Sequence, residues 1–374
     1  MSVFSFQGKE VLLDAGASSG KDKAMQTELF EVDPLSDNRK LYARAAEALG
    51  AGALVGIPTE TVYGLGADAL NPEAVARIFE AKGRPSFDPL IIHVHHGSEV
   101  EKYTAVPEGL KDLVHTLASR FWPGPLTMVY LKSSRVPNEV SAGLDTVAVR
   151  MPDNRTALAL IRAAGVPIAA PSANLSGKPS PTTADHVKAD MNGRIDVIID
   201  GGPCNIGVES TVVSLMGGAV TILRPGGITR EMLEAVIGPV NLSPAVLAPL
   251  KQGEAAASPG MKYKHYAPDA QVIVGTGSLP DMAAKLIAEY ERREAEGLTC
   301  IIFATEETRC FYRGKRYVII GERKNPLTLC ESLFAQFRAQ EDKADVILCE
   351  ALPETDMGLA YMNRLLRSAG FKTI

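Results

Sequence analysis

Short apolar runs alternate with amphipathic segments along most of the chain. Eight runs rich in β-branched residues predict strands in its first two thirds, at 53–57, 90–94, 126–131, 146–151, 167–170, 197–200, 211–215 and 220–223. Apolar residues at helical spacing predict helices at 38–49 and 72–82, the second of them opened by Asn71 as cap and Pro72 at the first position. Such alternation of strands and helices is typical of α/β folds.

The pattern changes between 243 and 269, where proline, alanine and glycine accumulate and SPGMKYKHYAPD shows no periodicity. This predicts a linker. Beyond it, strands at 271–274, 299–303, 317–320 and 346–349 and helices at 279–296 and 359–369 predict a second α/β unit. We therefore expect an N-terminal extension at 1–24, a larger domain at 25–242, the linker at 243–269 and a smaller α/β domain at 270–374.

Composition supports a soluble protein with two cores. The chain has 374 residues, 46% of them hydrophobic and 22% charged, which is ordinary for globular domains and long for a single core. Apolar runs fall short of the roughly 18 residues that a membrane span needs, and the first 24 residues lack a secretory or mitochondrial pattern, so we expect a cytoplasmic protein. Five widely spaced cysteines without a C-x-x-C pair predict buried or inert thiols.

Three glycine-rich stretches fail as nucleotide motifs. GASSGKD (16–22) is one residue short of a phosphate loop, and Asp22 stands where a magnesium-binding hydroxyl belongs. GLGADA (64–69) has the spacing of a dinucleotide fingerprint, but six residues separate it from the preceding strand. GTGS (275–278) is better explained as a capped turn into a helix. Any nucleotide must therefore be held by lysines and arginines rather than by a glycine cradle.

Polar residues collect after the predicted strands in five segments, in the order PTETVYG (58–64), KGRPSFDPLIIH (82–93), VAVRMP (147–152), APSANLSGKPSPT (170–182) and ESTVVSL followed by ILRPGG (209–227). In this order, and with the linker SPGMKYKHYAP, the chain resembles the YrdC-type threonylcarbamoyl-AMP synthases, in their long form with an appended C-terminal domain. The resemblance covers nearly everything from Met25 onward.

The resemblance implies a fold and a reaction. The fold would be a YrdC-like catalytic domain, a twisted mixed sheet flanked by helices with an open cleft, followed by a lid-like linker and a smaller Rossmann-like domain. The reaction would be nucleotidyl transfer, joining L-threonine, bicarbonate or CO2, and ATP into threonylcarbamoyl-AMP with release of pyrophosphate. This product feeds the threonylcarbamoyl modification of a tRNA adenosine.

The resemblance also assigns residues. Lys82 and Arg84 would be the catalytic cations, because the chemistry needs positive charge against a triphosphate and not a covalent nucleophile. The L-threonine contacts would be Thr61, His93, Arg150 and Ser210. The ATP contacts would be Arg84, Asp88, Ser172, Asn174, Thr182, Arg224, Tyr263 and Tyr266, the two tyrosines coming from the lid.

A segment among the predicted ATP contacts departs from the family pattern. The segment SFDP (86–89) replaces the more usual SDNP, so that Asp88 stands where an amide is expected. A carboxylate beside a triphosphate weakens binding unless it faces elsewhere.

Several residues have plainer readings. Glu60 is as well explained as a turn residue. Surface ion pairs are the plainer interpretation of Arg150 and Arg224, but their place at the end of a β-rich run, just before a proline-containing turn, favours a role in the site. The HVHH run (93–96) lacks a third clustered ligand, so we expect no protein metal site. Magnesium would enter with ATP, and we expect no tightly bound organic cofactor.

The alternative function is a non-catalytic module that binds tRNA or double-stranded RNA in a basic cleft, although the net charge of −5 does not favour it. As an enzyme, the protein would pass its product to tRNA or to a downstream threonylcarbamoyl-transferase complex, and no membrane partner is expected.

The first 24 residues have no counterpart in the family pattern, whereas Met25 opens a segment that reads like the usual beginning. We hypothesise that the native chain starts at Met25. The intact mass of the native protein tests this, and a mass that includes Met1 or Ser2 contradicts it.

Overall fold

The computed structural model describes residues 11–12, 25–33, 35–84, 88–248 and 266–374. The predicted lid residue Tyr263, the stretch GASSGKD, Ser86 and most of the linker lie outside the described residues. The predicted domain boundaries remain predictions, although the last strand of one sheet ends at Leu242 and the first strand of the next begins at Gln271.

The larger of two sheets contains thirteen strands within the described residues and mixes parallel with antiparallel pairs. In chain order they are β1 (Val11–Leu12), β2 (Glu28–Glu31), β3 (Val55–Ile57), β4 (Gly64–Asp68), β5 (Ile91–His93), β6 (Thr104–Ala105), β7 (Leu126–Lys132), β8 (Thr146–Arg150), β9 (Ile168–Ala169), β10 (Val197–Asp200), β11 (Thr211–Ser214), β12 (Thr221–Arg224) and β13 (Asn241–Leu242). The spatial order is β1-β2-β10-β3-β4-β9-β5-β8-β7-β11-β12-β13, with β6 paired to β7. This mixed sheet confirms the predicted fold class of the larger domain.

The smaller sheet is parallel throughout, as expected of a Rossmann-like unit. Its strands are β14 (Gln271–Gly275), β15 (Cys300–Ala304), β16 (Tyr317–Ile319) and β17 (Val346–Glu350), in the order β14-β17-β15-β16.

The helices of the described residues are α1 (Arg39–Gly50), α2 (Pro72–Lys82), α3 (Val100–Tyr103), α4 (Lys111–Phe121), α5 (Asn138–Ser141), α6 (Arg155–Ala164), α7 (Ala184–Met191), α8 (Arg230–Ile237), α9 (Leu279–Ala295), α10 (Pro326–Ala339) and α11 (Asp356–Ser368). Within the described residues no helix combines the length and apolarity that crossing a bilayer requires.

Helix α2 begins and ends where its sequence predicts. The Asn71 side chain accepts hydrogen bonds from the backbone N–H groups of Glu73 (3.1 Å) and Ala74 (3.2 Å), and Pro72 fills the first position, where no N–H partner is needed. Gly83 ends the helix in the left-handed region with φ of +59°. The helix therefore places Lys82, on its buried face, next to the carbonyl oxygens of Ser172 and Asn174.

Strand β4 was missed by the sequence pattern, because the run GLGAD contains two glycines and no β-branched residue. It pairs antiparallel with β3, Ile57 opposite Gly64 and Val55 opposite Gly66. A Cβ on Gly66 would lie 2.4 Å from the Ile57 side chain and 2.9 Å from that of Ile168, so the glycine is required by close packing. The stretch 58–63, which carries PTETVY, is thus a six-residue hairpin loop, and the rejection of GLGADA as a nucleotide motif is confirmed.

Most other predicted elements agree with the structure to within a few residues. Strand β2 was also missed. The predicted thiols are free: Cys300, Cys330 and Cys349 are buried and Cys204 is half-buried, whereas Cys310 is exposed.

The two domains share a hydrophobic core next to the hairpin loop. Val62 from that loop and Val208 pack in one cluster with Tyr266 and with Phe334 of α10, and the rings of Tyr266 and Phe334 lie 5.3 Å apart. Gly207 touches α10 so closely that a Cβ would lie 2.4 Å from the Cys330 carbonyl oxygen. The smaller domain is therefore packed directly behind the segments that form the cleft.

This contact predicts an asymmetry between two glycines of one loop. Gly207 and Gly202 both have positive φ (+77° and +84°), but a Cβ on Gly202 would meet nothing within 4 Å. Alanine at either position should lower the free energy of unfolding by about 1–2 kcal/mol, because a residue with a Cβ is strained in the left-handed backbone conformation. Gly207→Ala should lower it by about 1–3 kcal/mol more, because the added Cβ overpacks against α10. Differential scanning calorimetry of both variants measures this difference. Equal unfolding temperatures would show that the contact with α10 adjusts without cost.

Candidate active site

A cleft with about 540 Å³ of free space, counting its open mouth, lies between the β3–β4 loop and the ends of β5, β8 and β12. Eight of the residues assigned from the sequence line it: Thr61, Arg84, His93, Arg150, Ser172, Ser210, Arg224 and Tyr266. They come from segments far apart in the chain, and the fold brings them to one place.

The hairpin loop presents hydroxyl groups to this cleft. The Thr59 hydroxyl donates to the Val62 carbonyl oxygen (2.6 Å) and lies 2.9 Å from the Thr61 hydroxyl. Because a hydroxyl carries one hydrogen, the hydrogen between the two threonines comes from Thr61. Thr61 Oγ1 also accepts a hydrogen bond from Arg150 (3.0 Å), so it faces a ligand as an acceptor. Thr59 lines the cleft as well, although the sequence left its role open.

Arg150 stands at the end of β8 with Glu60 as its charge partner. The closest nitrogen–oxygen distance is 2.7 Å, and both side chains are almost fully buried. Within the described residues, however, neither Glu60 oxygen nor Arg150 Nη2 has a hydrogen bond of good geometry. The pair therefore neutralises the buried charges while leaving donor capacity on Arg150. Glu60 is accordingly more than a turn residue.

Arg84 and Asp88 form a second buried pair, with 2.7 Å between Arg84 Nη2 and Asp88 Oδ2. The unusual carboxylate thus faces the cation that was assigned to ATP. Arg84 Nε and Asp88 Oδ1 have no hydrogen bond within the described residues. An incoming anion would have to compete with Asp88 for the guanidinium.

Ser210 and Arg224 form a third polar group. Arg224 donates to the Ser210 carbonyl oxygen (3.1 Å) and to its hydroxyl (3.2 Å), and the Ser210 hydroxyl lies 2.8 Å from that of Thr127. Both residues are buried. The end of β12 is thereby tied to the start of β11.

Glu209 lines the cleft and was not singled out from the sequence. Its carboxylate accepts hydrogen bonds from the Ser180 hydroxyl and from Arg364 of α11 (2.7 Å). Burial raises the pKa of this carboxyl, but Arg364 and Arg224 more than offset burial and leave the pKa below its ordinary value. The described residues around the cleft thus include more arginines than carboxylates. The arginines are Arg84, Arg150, Arg224 and Arg364, and the carboxylates are Glu60, Asp88 and Glu209.

Lys82 lies beneath the cleft and is absent from its lining. Its ammonium donates to the carbonyl oxygens of Ser172 and Asn174, the second at 2.6 Å. Burial, followed by the nearby Arg84 charge, lowers the pKa of Lys82 well below its ordinary value. A direct phosphate contact would require the ammonium to leave both carbonyls, so this geometry supports a role in holding the 172–174 backbone.

Asn174 and Thr182 also lie off the lining. The Asn174 amide donates to the carbonyl oxygens of Leu175 (2.8 Å) and Lys178 (2.9 Å), and its oxygen accepts from the Ser172 hydroxyl (2.5 Å). Thr182 lies against His186, 3.3 Å from Nδ1. The ATP contacts assigned to these two residues remain predictions, and in this geometry Asn174 orients Ser172.

His93 ends β5 with its ring in the cleft wall. Its Nδ1 is buried and makes no hydrogen bond within the described residues. Burial, followed by the Arg150 charge, lowers the pKa of His93 to about 3. The ring is therefore neutral at physiological pH. The neighbouring histidines make local contacts instead. His95 Nδ1 lies 2.8 Å from Glu99 Oε2, and His96 Nδ1 accepts a hydrogen bond from the Ser98 N–H.

Tyr266 is the described one of the two predicted lid tyrosines, and it is buried at the cleft with a φ of +65°. Its ring packs on Phe334, and the Arg364 guanidinium lies over it at 5.6 Å from the ring centroid. This tyrosine thus links the cleft to the smaller domain.

Comparison with known proteins places the chain in a family. Residues 47–226 match the family model Sua5_yciO_yrdC, described as telomere recombination, and residues 228–370 match the threonylcarbamoyl-AMP synthase C-terminal domain. The threonylcarbamoyl-AMP synthase of Bacillus subtilis is 48% identical over 345 residues, which span 91% of this chain and 96% of that protein. The chain belongs to the threonylcarbamoyl-AMP synthase family. The synthase of Pyrococcus abyssi is 45% identical over 331 residues, which span 88% of this chain and 94% of that protein.

The family assignment extends to the three-dimensional structure. A crystal structure of Pyrococcus abyssi Sua5 complexed with L-threonine superposes with a TM-score of 0.86 at 44% identity, over 92% of this chain and 98% of that one. The long form of the family, with its C-terminal domain, is thereby confirmed for this chain.

Metal binding by the protein itself has little support in the site. Among the described residues, no group of three or more His, Cys, Asp or Glu side chains is placed to hold a metal ion. The three carboxylates near the cleft each lie against an arginine. The expectation that magnesium enters with ATP stays a prediction.

The neutral state of His93 gives a measurable prediction. Because its pKa is depressed to about 3 by burial and by Arg150, its ring nitrogens should keep constant chemical shifts from pH 8 down to pH 5. Long-range proton–nitrogen spectra of protein labelled with 15N-histidine measure this, and His93→Gln identifies the signals. A titration midpoint near 6.5, the ordinary value, would contradict the buried position.

Proposed function

We propose that this protein is an L-threonylcarbamoyladenylate synthase, which joins L-threonine, bicarbonate or CO2, and ATP, releases pyrophosphate and supplies threonylcarbamoyl-AMP for tRNA modification. The observation that carries the proposal is the convergence in one cleft of residues assigned to threonine with residues assigned to ATP. The names of the relatives and the L-threonine complex of Pyrococcus abyssi Sua5 support it.

The reaction requires the three reactants to be aligned and needs no nucleophile from the protein. The threonine amine captures CO2 as a carbamate and loses a proton; from bicarbonate, water is lost instead. A carbamate oxygen then attacks the α-phosphorus, and the bond from that phosphorus to the bridging oxygen breaks as pyrophosphate leaves. Holding the reactants together and neutralising the leaving group are the terms that dominate such reactions.

On the threonine side, we assign Arg150 to the substrate carboxylate, because its Nη2 retains donor capacity and a guanidinium matches carboxylate geometry. The acceptor Thr61 Oγ1 suits the amino group. Neutral His93 and the hydroxyl of Ser210 line the same side of the cleft.

On the nucleotide side, we assign Arg84 and Arg224 to the phosphates and Ser172 to a polar contact. Asp88 then balances the positive charge of Arg84 before ATP binds. Magnesium enters with ATP, held mainly by phosphate oxygens and water as that ion prefers.

The test is pyrophosphate release by the purified protein, with ATP, L-threonine and bicarbonate each omitted in turn and with the nucleotide product identified by mass spectrometry. We expect release that depends on all three reactants. Release that is independent of threonine or bicarbonate, or salt-sensitive RNA binding without turnover, would contradict the synthase and favour the RNA-binding module.

Arg84 should be indispensable for turnover. Arg84→Ala removes a buried cation from the phosphate side of the cleft. It should lower kcat/KM by more than about tenfold, as is usual when a group that stabilises transition-state charge is lost. Arg84→Lys should restore part of the rate, since it keeps the charge and loses the planar fork. The exposed Arg39, paired with Asp37, provides the matched control Arg39→Ala. Near-normal turnover of Arg84→Ala would refute the assigned role.

A further inference from the structure

Arg364 belongs to the smaller domain but contacts the cleft wall of the larger one. It is fully buried on α11. Its Nε donates to Glu209 Oε2 (2.7 Å), its Nη2 to the Glu209 carbonyl oxygen (3.1 Å), and its Nη1 to the carbonyl oxygen of Pro225 and to Asn363 Oδ1 (2.8 Å each). One planar guanidinium thus holds two segments of the other domain.

Those two segments carry residues of the site. Glu209 precedes Ser210, and Pro225 follows Arg224, which itself donates to Ser210. The segments are in direct backbone contact, because a Cβ on Gly226 would lie 2.4 Å from the Glu209 carbonyl oxygen. A change in the position of the Arg364 guanidinium would therefore move Ser210 and Arg224 together.

Arg364 also supplies the charge that Glu209 needs. The Glu209 carboxylate is buried in the lining of a cleft that must accept a polyanion. An unpaired carboxylate there would be costly to bury and would repel phosphate. With Arg364 and the Ser180 hydroxyl in place, both of its oxygens are engaged.

We propose that Arg364 is a positioning residue for the synthase reaction, through which the smaller domain sets both the geometry of Ser210 and Arg224 and the charge of the nucleotide side of the cleft. This inference rests on the proposed function. It gives the smaller domain a direct part in the site without contact to substrate.

Removal of Arg364 should make nucleotide binding depend on pH. The charged and titratable groups that face Glu209 are Arg364 from α11, Arg224 from β12, Tyr266, and Lys82 from α2. Without Arg364, burial of Glu209 loses its strongest opposing charge, although Arg224 and the Ser180 hydroxyl remain, and the pKa of Glu209 rises. The carboxyl is then neutral at low pH and anionic at high pH, so repulsion of ATP should grow as pH increases.

The experiment compares Arg364→Met, Arg364→Lys and the double variant Arg364→Met/Glu209→Gln by steady-state kinetics from pH 6 to 9. For Arg364→Met we expect the KM for ATP to rise with pH, reaching about tenfold above wild type, the effect of about one pKa unit of interaction. The KM for threonine should change less. The double variant should lose the pH dependence and recover most of the KM. Arg364→Lys keeps the charge, so its KM for ATP should stay flat with pH while kcat falls.

A matched control separates positioning from stability. Arg323→Met removes a half-buried arginine of the smaller domain, paired with the buried Glu350 at 3.0 Å, and should leave the KM for ATP unchanged. Should Arg364→Met fail to fold, Arg364→Lys carries the test through its expected fall in kcat, measured against Arg323→Met. The inference is overturned if the pH dependence of Arg364→Met persists in the double variant, or if the Arg364 variants change kinetics no more than Arg323→Met. A wild-type protein without threonine-dependent turnover would instead refute the proposed function.

Discussion

The site depends on keeping buried guanidinium groups charged. Removing an arginine from water is costly unless an anion or carbonyl takes the place of the solvent. Each of Arg84, Arg150 and Arg364 lies against a carboxylate, and Arg224 lies against the carbonyl and hydroxyl of Ser210. These partners hold the cations in place in advance, so that binding exchanges one set of acceptors for another.

The cations at strand ends were predictable from the sequence. Arg150 and Arg224 each close a β-rich run just before a proline-containing turn, and residues in that position line clefts of α/β folds. The depth of Lys82 was not predictable, because a K-x-R pattern does not say which side chain turns inward. That choice follows from Gly83, whose left-handed backbone turns the chain after α2 so that Lys82 lies under the Ser172 loop while Arg84 enters the cleft.

Contacts between residues far apart in the chain could not be predicted from the sequence. Glu209 is separated from Arg364 by 155 positions, and neither residue stands in a pattern that indicates the other. The strand Gly64–Asp68 was missed for a different reason: its glycines lower strand propensity, and their purpose, close contact with Ile57 and Ile168, exists only once the sheet has formed. The fold class could be predicted because hydrophobic periodicity is a local property.

Helix α2 constrains how this fold can vary. Successive residues of a helix point about 100° apart, and the carbonyl oxygens that receive Lys82 lie on one side only. Insertion of a single residue between Asn71 and Gly83 would rotate the ammonium away from them and send another side chain beneath the cleft. Length changes in this helix are therefore tolerable only in steps that restore the same angular phase.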